Sequence, residues 1–150
     1  MQKINVSIEI NAPREKVWHV MLDDKTYREW TSAFCPGSHY RGSLEKGSKI
    51  VFVGPDPETG KEMGMVSEVA ENKEFEYFSI HHIGMFKDGV EDYTSEEVKK
   101  WAPAYENYSF SQVGDKATVT VDQDIQDEYK EEFTKMWLVA LDKLKHMCEA

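Results

Sequence analysis

Residues 127–149 constrain the architecture of this chain more than any other stretch. At about 100° per residue, Tyr129, Phe133, Met136, Trp137, Ala140, Leu141, Leu144, Met147 and Cys148 fall within an arc of roughly 140°. Lys130, Glu131, Glu132, Lys135, Asp142, Lys143 and Lys145 lie mostly outside it. No Pro or Gly interrupts the run, which at about 1.5 Å per residue spans roughly 33 Å as a helix. Asp127 and Glu128 stand at its start, where the helix dipole favours carboxylates. A helix of that length with so broad an apolar face needs a large concave surface to lie in.

The preceding residues read as the parts of such a surface. Ile4, Val6, Ile8 and Ile10 alternate with Asn5, Ser7 and Glu9, the period of a half-buried strand. Asn11-Ala12-Pro13 ends that strand, and Pro13 is suited to open a helix because a first-turn N–H has no partner to lose. Val17, Trp18, Val20 and Met21 supply the buried side of this short helix; Asp23-Asp24 breaks it, and Lys25 to Trp30 forms a second short piece. Strand candidates follow at His39–Arg41, Lys49–Val53, Lys61–Glu71, Glu74–Ile83, Ala104–Val113 and Ala117–Ile125. Turn residues separate them, strongest at Gly54-Pro55-Asp56-Pro57-Glu58-Thr59-Gly60. Phe75 and Tyr77 share one parity while Phe78 and Ile80 share the other, which predicts a bulge or burial on both faces. Gly84 to Pro103 interrupts the meander, and Thr94 with Glu97 has the spacing of a capping box for a short helix through Val98 and Trp101. Strands in hairpin sequence without crossover helices cannot be parallel. The expected fold is α+β: one domain over residues 1–150, with an antiparallel sheet of six to seven strands, two short helices after the first strand and one long helix at the end.

Charge and cysteine usage narrow the function classes. The net charge of −10 disfavours phosphate backbones and anionic lipid, so neither nucleic acid nor membrane insertion is expected. Cys35 and Cys148 form no CxxC and read as reduced thiols, and no targeting segment or long apolar span is visible, which together predict a cytoplasmic protein. His81-His82 cannot chelate one metal from a strand, since neighbouring side chains point to opposite faces. Asp122 to Glu128 lacks the central glycine and distal glutamate of a calcium loop. No GxSxG, Cys–His signature or phosphate-cradling glycine loop is present. No metal, cofactor or catalytic residue is therefore assigned. The informative excess is aromatic: seven Phe, seven Tyr and four Trp are more than one helix stripe consumes. Any single ring is most simply read as core, but together they could line a gap between sheet and helix suited to a small apolar or amphipathic ligand.

Two segments carry a resemblance. INAPREKVWHVMLDDKTYREW resembles the opening of the SRPBCC (START/birch-pollen-allergen-like) superfamily, and TVTVDQDIQDEYKEEFTKMWLVALDKLK resembles its last strand and long helix. GMFKDGVEDYTSEEVKKWAPAYENYSF is similar to a bacterial subgroup of the AHSA-type branch, named for activators of the Hsp-ninety chaperone ATPase. The resemblance implies the helix-grip fold, a sheet curled around the terminal helix with a cavity between them. Its members include lipid and sterol carriers, hormone receptors, polyketide cyclases and chaperone activators, with no shared catalytic motif to carry over. The leading expectation is non-catalytic binding of a small hydrophobic molecule, with Trp30, Phe52, Met65, Tyr77, His81, Trp101, Tyr108, Phe133, Met136, Trp137 and Leu141 as lining and Gly84 to Pro103 as lid or wall. The alternatives are a cyclase or dehydratase acting on an aromatic or polyketide-like substrate through His81 or His82, and a co-chaperone-like partner of the Hsp-ninety ATPase.

Overall fold

Period-two alternation carries the first strand, β1 (Gln2–Ile10), into a corner after which α1 (Arg14–Leu22) and α2 (Asp24–Trp30) follow, as the computed structural model of residues 1–150 describes. Asp23 breaks the helix between them with extended backbone dihedrals. A 3-10 turn at Thr31–Ala33 leads to β2 (His39–Gly42), β3 (Lys49–Pro55), β4 (Glu62–Lys73) and β5 (Tyr77–Lys87). A short β6 (Val90–Asp92) and α3 (Glu96–Lys99) precede β7 (Ala104–Val113), β8 (Lys116–Ile125) and, after a 3-10 turn, α4 (Lys130–Glu149). The order across the sheet is β1-β8-β7-β5-β4-β3-β2, with β6 added to β5 and every pairing antiparallel. The α+β expectation holds, as do both short helices and the long one. The helix begins three residues later than the expected start at Asp127, because Asp127–Tyr129 winds as 3-10.

The expected irregularity near Phe78 is real and double. Ile83 is an extra residue in β5 opposite Val66–Ser67, and Ala70 is an extra residue in β4 opposite Ile80–Ser79. Each bulge reverses which parity of its strand faces inward relative to the partner. Phe75 belongs to neither strand. It sits in the β4–β5 turn with φ +66°, an uncommon conformation for a bulky side chain, and sets its ring edge-on to Trp18 at 6.1 Å. The interruption at Gly84–Pro103 contains more structure than its sequence shows. β5 runs on to Lys87 and pairs with β6, and the α3 cap is Ser95, whose Oγ accepts from Val98 N–H at 3.2 Å. Thr94 has the right spacing from Glu97, but Ser95 has the geometry.

On the inner face of the sheet, Ile4, Ile10, Phe78, Ile80, Phe110, Val119 and Val121 join the buried faces of α1 and α4 in one cluster. α4 contributes Trp137, Ala140, Leu141, Leu144 and Cys148 to it. Burying each of the larger side chains contributes about 1.5–3 kcal/mol. The end of α4 is tied to the β1–α1 corner, where Asn11 N–H donates to Glu149 Oε2 at 2.8 Å and Lys145 Nζ donates to the Glu9 carbonyl at 3.2 Å. β3 and β4 approach so closely at Gly64 that a Cβ there would lie 1.6 Å from the Phe52 carbonyl oxygen. No helix is long and apolar enough to cross a membrane.

Candidate functional site

Four neighbouring strands lay a row of polar side chains across the inner face of the sheet: Ser67 on β4, His82 on β5, Glu106 on β7 and Gln123 on β8. Ser67 faces His82 directly across its ladder and Glu106 faces Gln123, while His82 and Glu106 are diagonal neighbours. All four point the same way as the apolar core residues of their strands, Ile80, Tyr108 and Val121. Three of them are bonded in sequence, Ser67 to His82 to Glu106, while Gln123 is bonded to α4 instead. Ser67 Oγ lies 2.6 Å from His82 Nδ1, and His82 Nε2 lies 3.1 Å from Glu106 Oε1. The Tyr108 hydroxyl donates to Glu106 Oε2, and Trp137 Nε1 of α4 donates to Gln123 Oε1 at 2.7 Å. With Glu106 ionised, His82 Nε2–H donates to it and Nδ1 accepts from the Ser67 hydroxyl, so a neutral imidazole satisfies the chain. Such a network is retained in an apolar interior only because each member has a partner.

His82, Glu106 and Gln123 of this row form one side of a cavity of about 160 Å³ between the sheet, the α2 end and α4. Trp30, Phe34, Phe52, Tyr108, Phe133 and Trp137 supply its aromatic walls together with Tyr27 and Met65, and Thr31 and Ser38 complete the lining. Phe34 and Phe133, both half-buried, stack across its rim at 6.5 Å, and Phe34 meets Trp137 edge-on at 5.0 Å. Burial, followed by the nearby Glu106 charge, pushes the Tyr27 phenol well above its ordinary range. The Tyr108 phenol rises for the same two reasons in the same order. Both therefore remain protonated donors at neutral pH. A wider depression of about 420 Å³ at the start of α4 has no apolar lining and is open surface. No three His, Cys, Asp or Glu side chains gather as a metal site needs.

Six of the expected lining residues meet at the cavity: Trp30, Phe52, Met65, Tyr108, Phe133 and Trp137. Five do not. His81 and Tyr77 have the wrong parity on β5; His81 stacks flat on Tyr105 at 4.4 Å on the outer face, and His82 is the inward histidine. Leu141 is sealed in the core one turn beyond the cavity, and Met136 stands beside the lining without joining it. Trp101 belongs to the Gly84–Pro103 insertion, which contributes nothing to the lining. That segment packs on the outer face instead. Tyr93 covers Gly84, with ring atoms 2.7–2.9 Å from where a Cβ would sit, and Glu91 pairs with Lys49 Nζ at 2.7 Å beside inward-facing Ile50. It is neither lid nor wall.

The lining residues not expected are Tyr27, Thr31, Phe34, Ser38, His82, Glu106 and Gln123. Strand parity held a signal for three of them, since His82 shares parity with Phe78 and Ile80. Glu106 shares parity with Tyr108 and Phe110, and Gln123 shares it with Val119 and Val121, so simple alternation turns both inward.

Several solved structures share this fold. The protein CV1439 from Chromobacterium violaceum is 16% identical, with a TM-score of 0.70 over 100% of this chain and 99% of its own. ChR145 from Cytophaga hutchinsonii is 18% identical, with a TM-score of 0.72 over 98% and 93%. DynU16, a protein of the dynemicin biosynthetic locus, is 15% identical, with a TM-score of 0.68 over 97% of this chain and 46% of its own. At these identities the likeness is one of fold. No curated protein matches the chain significantly. The sheet, the gripped helix and a family model described as "Activator of Hsp90 ATPase homolog 1-like protein", matching residues 11–149, agree: the chain belongs to that family, an AHSA-type branch of the SRPBCC superfamily.

Proposed function

We propose that this protein binds a small hydrophobic or amphipathic molecule in the cavity between the sheet and α4. The observation that carries the reading is the combination of aromatic walls with one bonded polar row at a single side. Apolar lining with a few placed polar groups is the usual composition of small-molecule sites. The volume of about 160 Å³ is below the roughly 300–1,000 Å³ of drug-sized sites and close to the roughly 150 Å³ that accommodates a benzene. A single-ring occupant is the natural match, with larger ones requiring the Phe34–Phe133 rim to part. Native mass spectrometry of the purified protein, with thermal-shift screening of apolar probes, tests the reading. Co-purification of a ligand, or a concentration-dependent rise in Tm, is the expected result. A protein that purifies empty and is stabilised by no probe refutes it.

The His82–Glu106 pair favours a second reading, acid–base catalysis on a ring-sized substrate. A titratable pair open to an apolar cavity is what proton transfer requires. A bound molecule recovered chemically unchanged after prolonged incubation with the protein, and equally unchanged with Glu106→Gln, leaves binding alone.

A further inference from the structure

The polar side of the cavity carries an imbalance. Gln123 is only 7% exposed, and its carboxamide orientation is fixed by chemistry rather than by fit. An indole N–H can only donate, so the Gln123 atom 2.7 Å from Trp137 Nε1 is the oxygen. The amide nitrogen is then the free end. It donates to no protein acceptor, yet no buried polar side-chain atom lacks a partner, so the nitrogen faces accessible space, and the cavity is the space Gln123 lines. The Tyr27 hydroxyl is in the same position: it lines the cavity and has no protein partner. Glu106, which lines the same cavity, presents a carboxylate that accepts one hydrogen on each oxygen and keeps lone pairs free. The polar end thus offers two unspent donors beside one acceptor with remaining capacity.

We propose that the cavity selects a neutral single-ring molecule bearing a hydroxyl, a phenol or cyclic alcohol, with its oxygen seated among Tyr27, Glu106 and Gln123. This rests on the ligand-binding reading above and names the ligand class. A hydroxyl is the smallest neutral oxygen group that accepts from Tyr27 or Gln123 while donating to Glu106. A ketone accepts but leaves the spare lone pairs of the carboxylate unmatched, and a hydrocarbon leaves those lone pairs and both free donors unmatched. A carboxylate ligand brings a second negative charge against Glu106, in a chain whose net charge is already −10. The ring itself lies among Trp137, Phe34 and Phe52, which favour an aromatic or cyclic body.

Titration calorimetry with phenol, cyclohexanone, toluene and benzoate on the wild-type protein and on Tyr27→Phe tests this. Phenol should bind about tenfold or more tightly than toluene, the equivalent of about 1.4 kcal/mol. Cyclohexanone should fall between them, and benzoate should not bind. Tyr27→Phe keeps the ring packed and removes the hydroxyl, so it should weaken phenol by about tenfold and leave toluene unchanged. Toluene binding within twofold of phenol, or tighter binding of benzoate than phenol, overturns the ligand class while the binding reading stands. A Tyr27→Phe protein that keeps the full phenol preference also overturns it. No binding of any of the four probes removes both.

Discussion

Trp137 joins α4 to the polar row through one hydrogen bond, and its energetic role can be isolated. Trp137→Phe removes the indole N–H and leaves Gln123 Oε1 without its 2.7 Å donor in a nearly buried position. Leaving such an acceptor unmade costs about 1–3 kcal/mol, the lower end applying if cavity water replaces the donor. The smaller ring forfeits roughly 1 kcal/mol more of buried apolar area. The total is about 2–4 kcal/mol, a fall in Tm of roughly 5–15 °C for a domain of this size. Gln123→Leu should cost about as much, since it strands the indole N–H instead. The double variant strands neither group, so its cost should fall short of the sum of the singles by about 1–2 kcal/mol. Urea unfolding of the four proteins closes the cycle. Additivity within about 0.5 kcal/mol, or a Trp137→Phe protein as stable as wild type, shows that the bond contributes nothing beyond packing.

Other perturbations separate the two faces of the sheet. His82→Ala should cost about 2–4 kcal/mol in chemical denaturation, because Ser67 and Glu106 lose their shared partner, whereas outward His81→Ala should stay within about 1 kcal/mol. Gly64→Ala drives a methyl to 1.6 Å from the Phe52 carbonyl oxygen, so β3 and β4 must separate at a cost of about 3 kcal/mol or more; Gly60→Ala meets no neighbour, and only its φ of +73° costs about 1–2 kcal/mol. Burial pushes the Cys148 thiol from 9.0 to about 11, while the Tyr27 and Tyr108 phenols rise well above 10.0. The unfolded chain therefore loses these protons first. The stability these groups contribute is intact below about pH 9 and is lost as pH rises through about 11. A Cys148→Ala protein should show a shallower loss of Tm between pH 9 and 11, and an unchanged slope refutes the assignment.

How far the molecule was legible in its sequence depended on distance along the chain. The apolar arc of α4 and the alternation in β1 and β8 are local patterns, and local patterns survive into the structure. Which face a side chain takes is a local matter only while the strand stays regular. His81 and His82 look equivalent in a list of residues, but β5 runs unbroken from Phe78 through Ile80 to His82, and that parity turns His82 inward. Tyr77 was misplaced by the same step. Tyr27, Phe34 and Ser38 come from short helical and loop pieces with too little periodicity to reveal a face, and only tertiary packing brings them to the cavity. The insertion was misread because the length of an interruption says nothing about the side of the sheet onto which it folds. Tyr93 above a side-chain-less Gly84 decides that, and no spacing rule connects the two.

The stacked rings of Phe34 and Phe133 have a kinetic consequence. One rides on the segment after α2 and the other on the first turns of α4, so a molecule that passes between these elements must turn the rings aside or part the elements. Association should then be paced by that opening rather than by diffusion, and ligands of similar size should share one association rate. Their affinities would differ almost wholly in residence time. A weakly held hydrocarbon and a well-held phenol would arrive equally often and differ in how long they stay.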